Sequence, residues 1–397
     1  MTGFSARDRL RLLGGGGIAA ALQACGGSAP TVPVTAGIDT ALPISLPPPE
    51  FTPAIPVPGI LKDTWRNNFE IGVACEAAQF APQSVSRKRI LNQFNSLTAE
   101  YSLKSNIIAP AQGGYNFTLA DQLWDIAQAN GISLRGHALL WHEATPAWML
   151  SGTPAQIRTK LETYVTDVVT HFRGRITDWD VCNEVITDDD WADSPYRDTE
   201  WLQAVGGPEY IGWAFEAARA ADPDARLFLS DYSTELPGKR ARLITVAQDL
   251  LDMDVPLDGI GHQMHLKMSS SIPDALSAID AVDDLFAGLV NQVTELDISV
   301  YTDPGTCYET GTSCLPDVGN PMPADIARQQ AQMYRDFFNG LALRPSVDSV
   351  TVWGLSDGDS WLNTNPAVRF NHPLLFDRDF MPKRAFYAIS DLDWPIQ

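Results

Sequence analysis

Two acidic residues, each at the end of an apolar run, set the chemistry open to this chain. Trp179–Asp180–Val181–Cys182–Asn183–Glu184–Val185 starts as a buried β-strand, with apolar, β-prone residues at Ile176, Trp179 and Val181. It then runs into Asn183 and Glu184, which gain nothing from a place deep in a core. Far downstream, Gln292–Val293–Thr294–Glu295–Leu296–Asp297–Ile298–Ser299 is built alike and again carries a glutamate. Parallel α/β enzymes keep their reactive groups at the carboxyl ends of their strands. Two carboxyl groups facing across such a mouth can divide acid–base and nucleophilic work, and cleavage of a glycosidic bond needs that division. Either glutamate alone reads more simply as a solvated acid or half of a buried ion pair. The two together, in matching contexts, do not.

Other polar and aromatic stretches accompany the pair. Asp258–Gly259–Ile260–Gly261–His262–Gln263–Met264–His265–Leu266 puts an amide and two imidazoles on one apolar segment. Arg135–Gly136–His137–Ala138–Leu139–Leu140–Trp141–His142 is a second such segment, and Trp353 and Trp361 bracket Gly354–Leu355–Ser356–Asp357–Gly358–Asp359–Ser360. A metal centre fits poorly, because His262 and His265 fall on opposite faces of a strand and no cysteine spacing resembles a zinc site. No cofactor is expected.

These stretches, in order from about Thr64 to Trp394, resemble the signatures of glycoside hydrolase family 10, mainly endo-1,4-β-xylanases on a (β/α)8 barrel. The resemblance implies a retaining enzyme acting on xylan or xylo-oligosaccharides, with Glu184 as acid/base and Glu295 as nucleophile. It implies that His265 hydrogen-bonds Glu295 with Asp297 behind it, and that Gln263 lines the cleft near Glu184. By the same resemblance Asn183 meets the sugar 2-hydroxyl, His137 and Trp141 line the adjacent sugar site, and Trp353 and Trp361 wall the donor side. A related retaining barrel glycosidase acting on β-1,4-glucan or aryl β-glycosides is the alternative. Two motifs depart from the family pattern. Where the family reads Glu-Asn-x-x-Lys-Trp, this chain has Glu100–Tyr101–Ser102–Leu103–Lys104–Ser105, keeping the substrate-binding Glu100 and Lys104. Where it reads Asn-Asp-Tyr-Asn, this chain has Ser230–Asp231–Tyr232–Ser233.

The elements that must hold these groups alternate between strand and helix patterns, the mark of an α/β fold with a parallel sheet. Strands are predicted near Phe69–Cys75, Ser96–Leu103, Ile132–Leu140, Ile176–Asn183, Arg226–Asp231, Asp258–His265, Gln292–Ile298 and Ser349–Gly354. Helices are predicted over Thr118–Asn130, Pro154–Phe172, Glu200–Ala221 and Ala324–Leu341, with a last one near Pro382–Asp391 and no sugar-binding module expected beyond it. Gly131 suits a helix C-terminus and Pro154 a helix start. Eight such units close a single TIM barrel over residues 61–397. Cys307 and Cys314 bracket a polar loop and are expected to form a disulfide, whereas Cys75 and Cys182 read as buried thiols.

Residues 1–25 have the shape of an export signal: Arg7, Arg9 and Arg11 precede a short apolar, glycine-rich run. Leu22–Gln23–Ala24–Cys25–Gly26 resembles a bacterial lipobox, which makes Cys25 a candidate for lipidation. Residues 26–60 are a Pro/Gly/Ser-rich linker with Pro47–Pro48–Pro49 in its middle. The expectation is an exported monomer, either a periplasmic or outer-membrane lipoprotein or a secreted protein, that meets a membrane only through that anchor. A formal charge of −21 argues against nucleic acid and anionic surfaces as partners and suits a neutral ligand.

Overall fold

The computed structural model describes residues 59–396; the export segment, Cys25 and nearly all of the linker lie outside them. Parallel strands satisfy their buried backbone groups only through one another, and here they do so in a ring. The staves are β1 (Glu70–Cys75), β2 (Ser96–Ala99), β3 (Ser133–Trp141), β4 (Asp178–Asn183), β5 (Arg226–Asp231) and β6 (Gly259–His262). After a short β7 (His265–Lys267) come β8 (Val290–Ser299) and β9 (Val347–Val352). β1 to β6 neighbour one another in order, β9 joins β1, β8 joins β9, and pairing of β6 with β8 closes the barrel. All these pairings are parallel, so every carboxyl end opens at one mouth.

A helix follows each stave and packs its apolar stripe on the barrel. In Ala324–Leu341, for example, Gln330, Ala331, Tyr334, Phe337, Phe338 and Leu341 are buried at helical spacing. Helix Pro154–His171 starts on its proline, and Thr153 and Gln156 cap it reciprocally. Gly131, at φ 63°, ends helix Thr118–Ala129, and the amides around it return to the carbonyls of Gln128 and Ala127.

Three expected elements differ. β2 stops at Ala99 instead of Leu103, because the Glu76 carboxylate takes the amides of Tyr101 and Ser102 at 2.6 and 3.0 Å. The strand expected over Asp258–His265 is broken into β6 and β7 at Gln263–Met264, where Met264 has φ 56°. The helix expected over Glu200–Ala221 is two helices, since Gly206 ends the first at φ 90° and Pro208 caps the second. Cys307 and Cys314 are bonded, and Cys75 and Cys182 are buried free thiols.

The barrel interior is partly ionic. Arg135 on β3 holds Asp180 on β4 through two bonds of 2.7 and 2.8 Å and Gln292 on β8 through one of 2.6 Å. Burial opposes the charge on Asp180, but Arg135 and His137 outweigh it and hold the carboxyl at about 2. A buried pair satisfied this fully fixes three strands against one another.

Candidate active site

At the mouth, β4 runs out at Asn183 and Glu184 takes a left-handed conformation, φ 62°. For a glutamate that costs about 1–3 kcal/mol, so its surroundings must impose it. Its amide donates to the Ser230 carbonyl at 2.9 Å, and its own carbonyl accepts Arg197 Nε at 2.9 Å. Among the described residues the donors hydrogen-bonded to the carboxylate are neutral: Gln263 Nε2 reaches Glu184 Oε1 at 3.2 Å and Asn183 Nδ2 reaches it at 3.4 Å. Gln263 Nε2 also donates to Asn183 Oδ1 at 3.0 Å.

Glu295 is set differently. Gln292 reaches into the barrel, and strict alternation would turn Glu295, three residues on, to the other face. The β8–β9 ladder shifts register between Val293 and Leu296, and Glu295 faces inward as well. It is buried, with Oε2 3.4 Å from His265 Nε2 and Oε1 3.9 Å from His137 Nδ1. Gln263, which serves Glu184 through its side chain, accepts the Glu295 amide on its carbonyl at 3.1 Å. The broken strand thus ties the two carboxylates together. Behind His265, Asp297 Oδ2 accepts from Nδ1 at 3.0 Å and from Trp361 Nε1 at 2.9 Å. Burial opposes a charge on His265, yet Asp297 and Glu295 outweigh it and push the imidazole up to about 10. Glu295 therefore faces a cation at neutral pH.

Aromatic and cationic groups wall this centre. Trp353 meets His137 edge-on at 5.2 Å, and Trp361 lies 5.1 Å from His265 between ring centres. Lys104 Nζ sits 4.4 Å from the Trp141 ring and 5.0 Å from that of Tyr101. Burial lowers the Lys104 ammonium, opposed by Glu295, Glu100 and Glu184, so that side chain senses both carboxylates. Burial likewise raises Glu100, which is hydrogen-bonded by the Tyr101 hydroxyl. His262 is separate: Thr234 and Asn291 take its two nitrogens at 2.8 and 3.0 Å, and burial pushes it down to about 4. Among the described residues no group of three or more His, Cys, Asp and Glu side chains is arranged to hold a metal ion.

Two mouth carboxylates, one among neutral amides and one against a cation, are the parts of a glycosidase. Residues 60–392 match the model of glycosyl hydrolase family 10. The chain belongs to that family. It is 36% identical over 332 residues to a β-1,4-xylanase of Dictyoglomus thermophilum, covering 83% of this chain and 90% of the relative. A thermostable celloxylanase of Thermoclostridium stercorarium is 36% identical over 351 residues, covering 83% of this chain and 87% of the relative. Among solved structures, xylanase B from Clostridium stercorarium F9 superposes with a TM-score of 0.77 at 35% identity, covering 84% of this chain and 99% of that one. As a family 10 member the chain is a glycoside hydrolase.

The hydrolase also holds a network that the sequence reading missed, behind Glu184. Arg197, thirteen residues beyond the glutamate whose carbonyl it holds, donates to Asp188 and to the Tyr232 hydroxyl at 2.8 Å each. Lys239 lies 2.6 Å from Asp188 and 3.0 Å from the buried Asp231. Asp231 is pushed up to about 6, chiefly by burial, with Lys239 and Arg197 opposing and Glu184 adding to the rise. Tyr232 and Asp231 stand in a motif the sequence reading noticed. Nothing in the spacing of Arg197 or Lys239 marks them.

Proposed function

We propose that this hydrolase is a retaining endo-1,4-β-xylanase that cuts internal bonds of xylan or xylo-oligosaccharides by double displacement. The observation that carries the mechanism is the unequal setting of the two carboxylates. Glu295, opposite the His265 cation and with Oε1 lacking a hydrogen-bond partner among the described residues, suits attack on the anomeric carbon. Glu184, held by neutral amides, suits giving its proton to the departing glycosidic oxygen. A covalent glycosyl-enzyme then forms on Glu295, and Glu184 takes a proton from the water that releases it. Asn183, fixed by Gln263, would meet the 2-hydroxyl of the bound sugar, with Trp353 and Trp361 as its walls.

The xylan assignment rests on the xylanase relatives and on a xylotriose complex of a structural neighbour at 32% identity and TM-score 0.76. Because one relative is named a celloxylanase, carboxymethyl cellulose is the control substrate. Glu184→Ala should lose about 10²–10⁴-fold on xylan but little on an activated aryl xylobioside, while Glu295→Ala loses both. Equal losses for Glu184→Ala on the two substrates contradict its role, and an α-anomer as first product by NMR contradicts retention. The reading of residues 1–60 as an export signal and tether, with lipid on Cys25, is tested by mass spectrometry of the mature amino terminus.

A further inference from the structure

A proton donor must be aimed, and the tip of Glu184 is not where the aiming is done. The two neutral donors on its carboxylate lie at 3.2 and 3.4 Å, the long end of the hydrogen-bond range, and steer a flexible side chain only loosely. The direction in which that side chain leaves the strand is set by its backbone, at φ 62°. A glutamate left to itself returns to negative φ, where its Cβ would leave the end of β4 in another direction. The backbone must therefore be held against that return.

Arg197 takes two successive carbonyls of this segment. Its Nε donates to the Glu184 carbonyl at 2.9 Å, and its own amide donates to the Val185 carbonyl at 2.7 Å. The next residue is pinned through both of its backbone groups: the Ile186 amide donates to Asp231 Oδ2 and the Ile186 carbonyl accepts Lys239 Nζ, at 2.9 Å each. The other two nitrogens of the Arg197 guanidinium are fixed as well, on Asp188 and on the Tyr232 hydroxyl at 2.8 Å each. That hydroxyl donates in turn to Asp188, which also meets Lys239 at 2.6 Å. Asp231 and Lys239 are buried, so water is poorly placed to substitute for them. A rigid, planar fork suits a hold on three partners at once, and an ammonium does not. Arg242 fastens the same loop further on, taking the Thr187 carbonyl at 3.0 Å and Asp190 at 2.8 Å. Arg197 differs from it in gripping the residue whose φ is reversed.

We propose that Arg197 is a positioning residue for proton transfer, holding Glu184 in the left-handed conformation that presents its carboxyl to the departing glycosidic oxygen. It acts through the Glu184 backbone and not through the carboxyl. The proposal rests on the glycanase reading above and adds to it the group that aims the acid. A misplacement of about 1 Å can cost about 10²-fold in an otherwise intact site, which sets the scale of the effect.

The test is kcat/KM on a series of aryl β-xylobiosides graded in leaving-group acidity, at one pH. Poor leaving groups need the proton and good ones do not. In Arg197→Met, kcat/KM should fall about 10–100-fold on the poorest leaving group and little on the best. Arg197→Lys, whose single ammonium can serve fewer partners, should fall between that variant and the unaltered enzyme. Arg242→Met serves as the control and should keep the unaltered dependence on leaving group. The ratio across the series does not depend on what fraction of a preparation is folded, so a destabilised variant still gives an answer. A loss by the same factor on every leaving group in Arg197→Met overturns the positioning role and leaves the glycanase reading standing. So does a steepening in Arg242→Met as large as that in Arg197→Met, which would reduce the network to a fastening of the loop. An unaltered enzyme inactive on the whole series overturns the glycanase reading, and the positioning role with it.

Discussion

Asp297→Asn isolates what the buried carboxylate behind His265 does for the nucleophile. Asn keeps the shape, and its amide oxygen in the place of Oδ2 can still accept both bonds that Asp297 now takes from His265 and Trp361. It removes the charge. Burial works against the His265 cation, and of the two carboxylates that overcome it Asp297 contributes more than Glu295. Much of the rise from 6.5 to about 10 should therefore vanish, bringing the imidazole down towards its ordinary range. Each unit of that fall is about 1.4 kcal/mol of lost preference for the charged form. The sign follows from the raised value: the cation is present below its pKa and is lost as pH climbs through it. In the unaltered enzyme that loss comes near pH 10, and in the variant it comes at distinctly lower pH. The assay is kcat/KM against pH on an activated aryl xylobioside, for which protonation by Glu184 is not needed. Circular dichroism at each pH confirms that both proteins stay folded. An alkaline limb that does not move, or a loss of the same size at every pH, would refute the idea that Asp297 acts by holding the charge on His265.

Tyr101→Asn should raise kcat/KM on xylotriose up to about tenfold more than on long xylan, since it frees Glu100 from the tyrosine hydroxyl and restores one or two neutral hydrogen bonds worth about 0.5–1.5 kcal/mol each; equal losses on both would make Tyr101 a platform in its own right. Gly136→Ala should destabilise the fold by about 1–3 kcal/mol or more in urea unfolding, because a Cβ there would lie 2.0 Å from the indole of the fully buried Trp179; an unchanged midpoint would contradict that packing. Replacing Cys307 and Cys314 together by alanine should cost at most about 2.5 kcal/mol, the chain-entropy value for so short a loop, and an unchanged melting temperature would show that the loop opens before the barrel does.

Much of this protein is legible from neighbours in sequence. The cap at Thr153–Gln156, the glycine ending at Gly131 and the runs that become β4 and β8 depend on residues a few positions apart. So does the placing of Glu184 at a strand end and Glu295 on a second strand, from which two-carboxylate chemistry follows. The tertiary structure decided what depends on closing the ring. Period-two alternation cannot say that Glu295 shares the inward face with Gln292, because that needs the register shift against β9. Nor can it break β6 from β7 at Gln263, the break that ties the two carboxylates together. The hold of Arg197 on Glu184 was invisible for the same reason. Ion pairs and burial are set by which distant residues arrive at one place, and only the closed barrel brings the loops after β4 and β5 together.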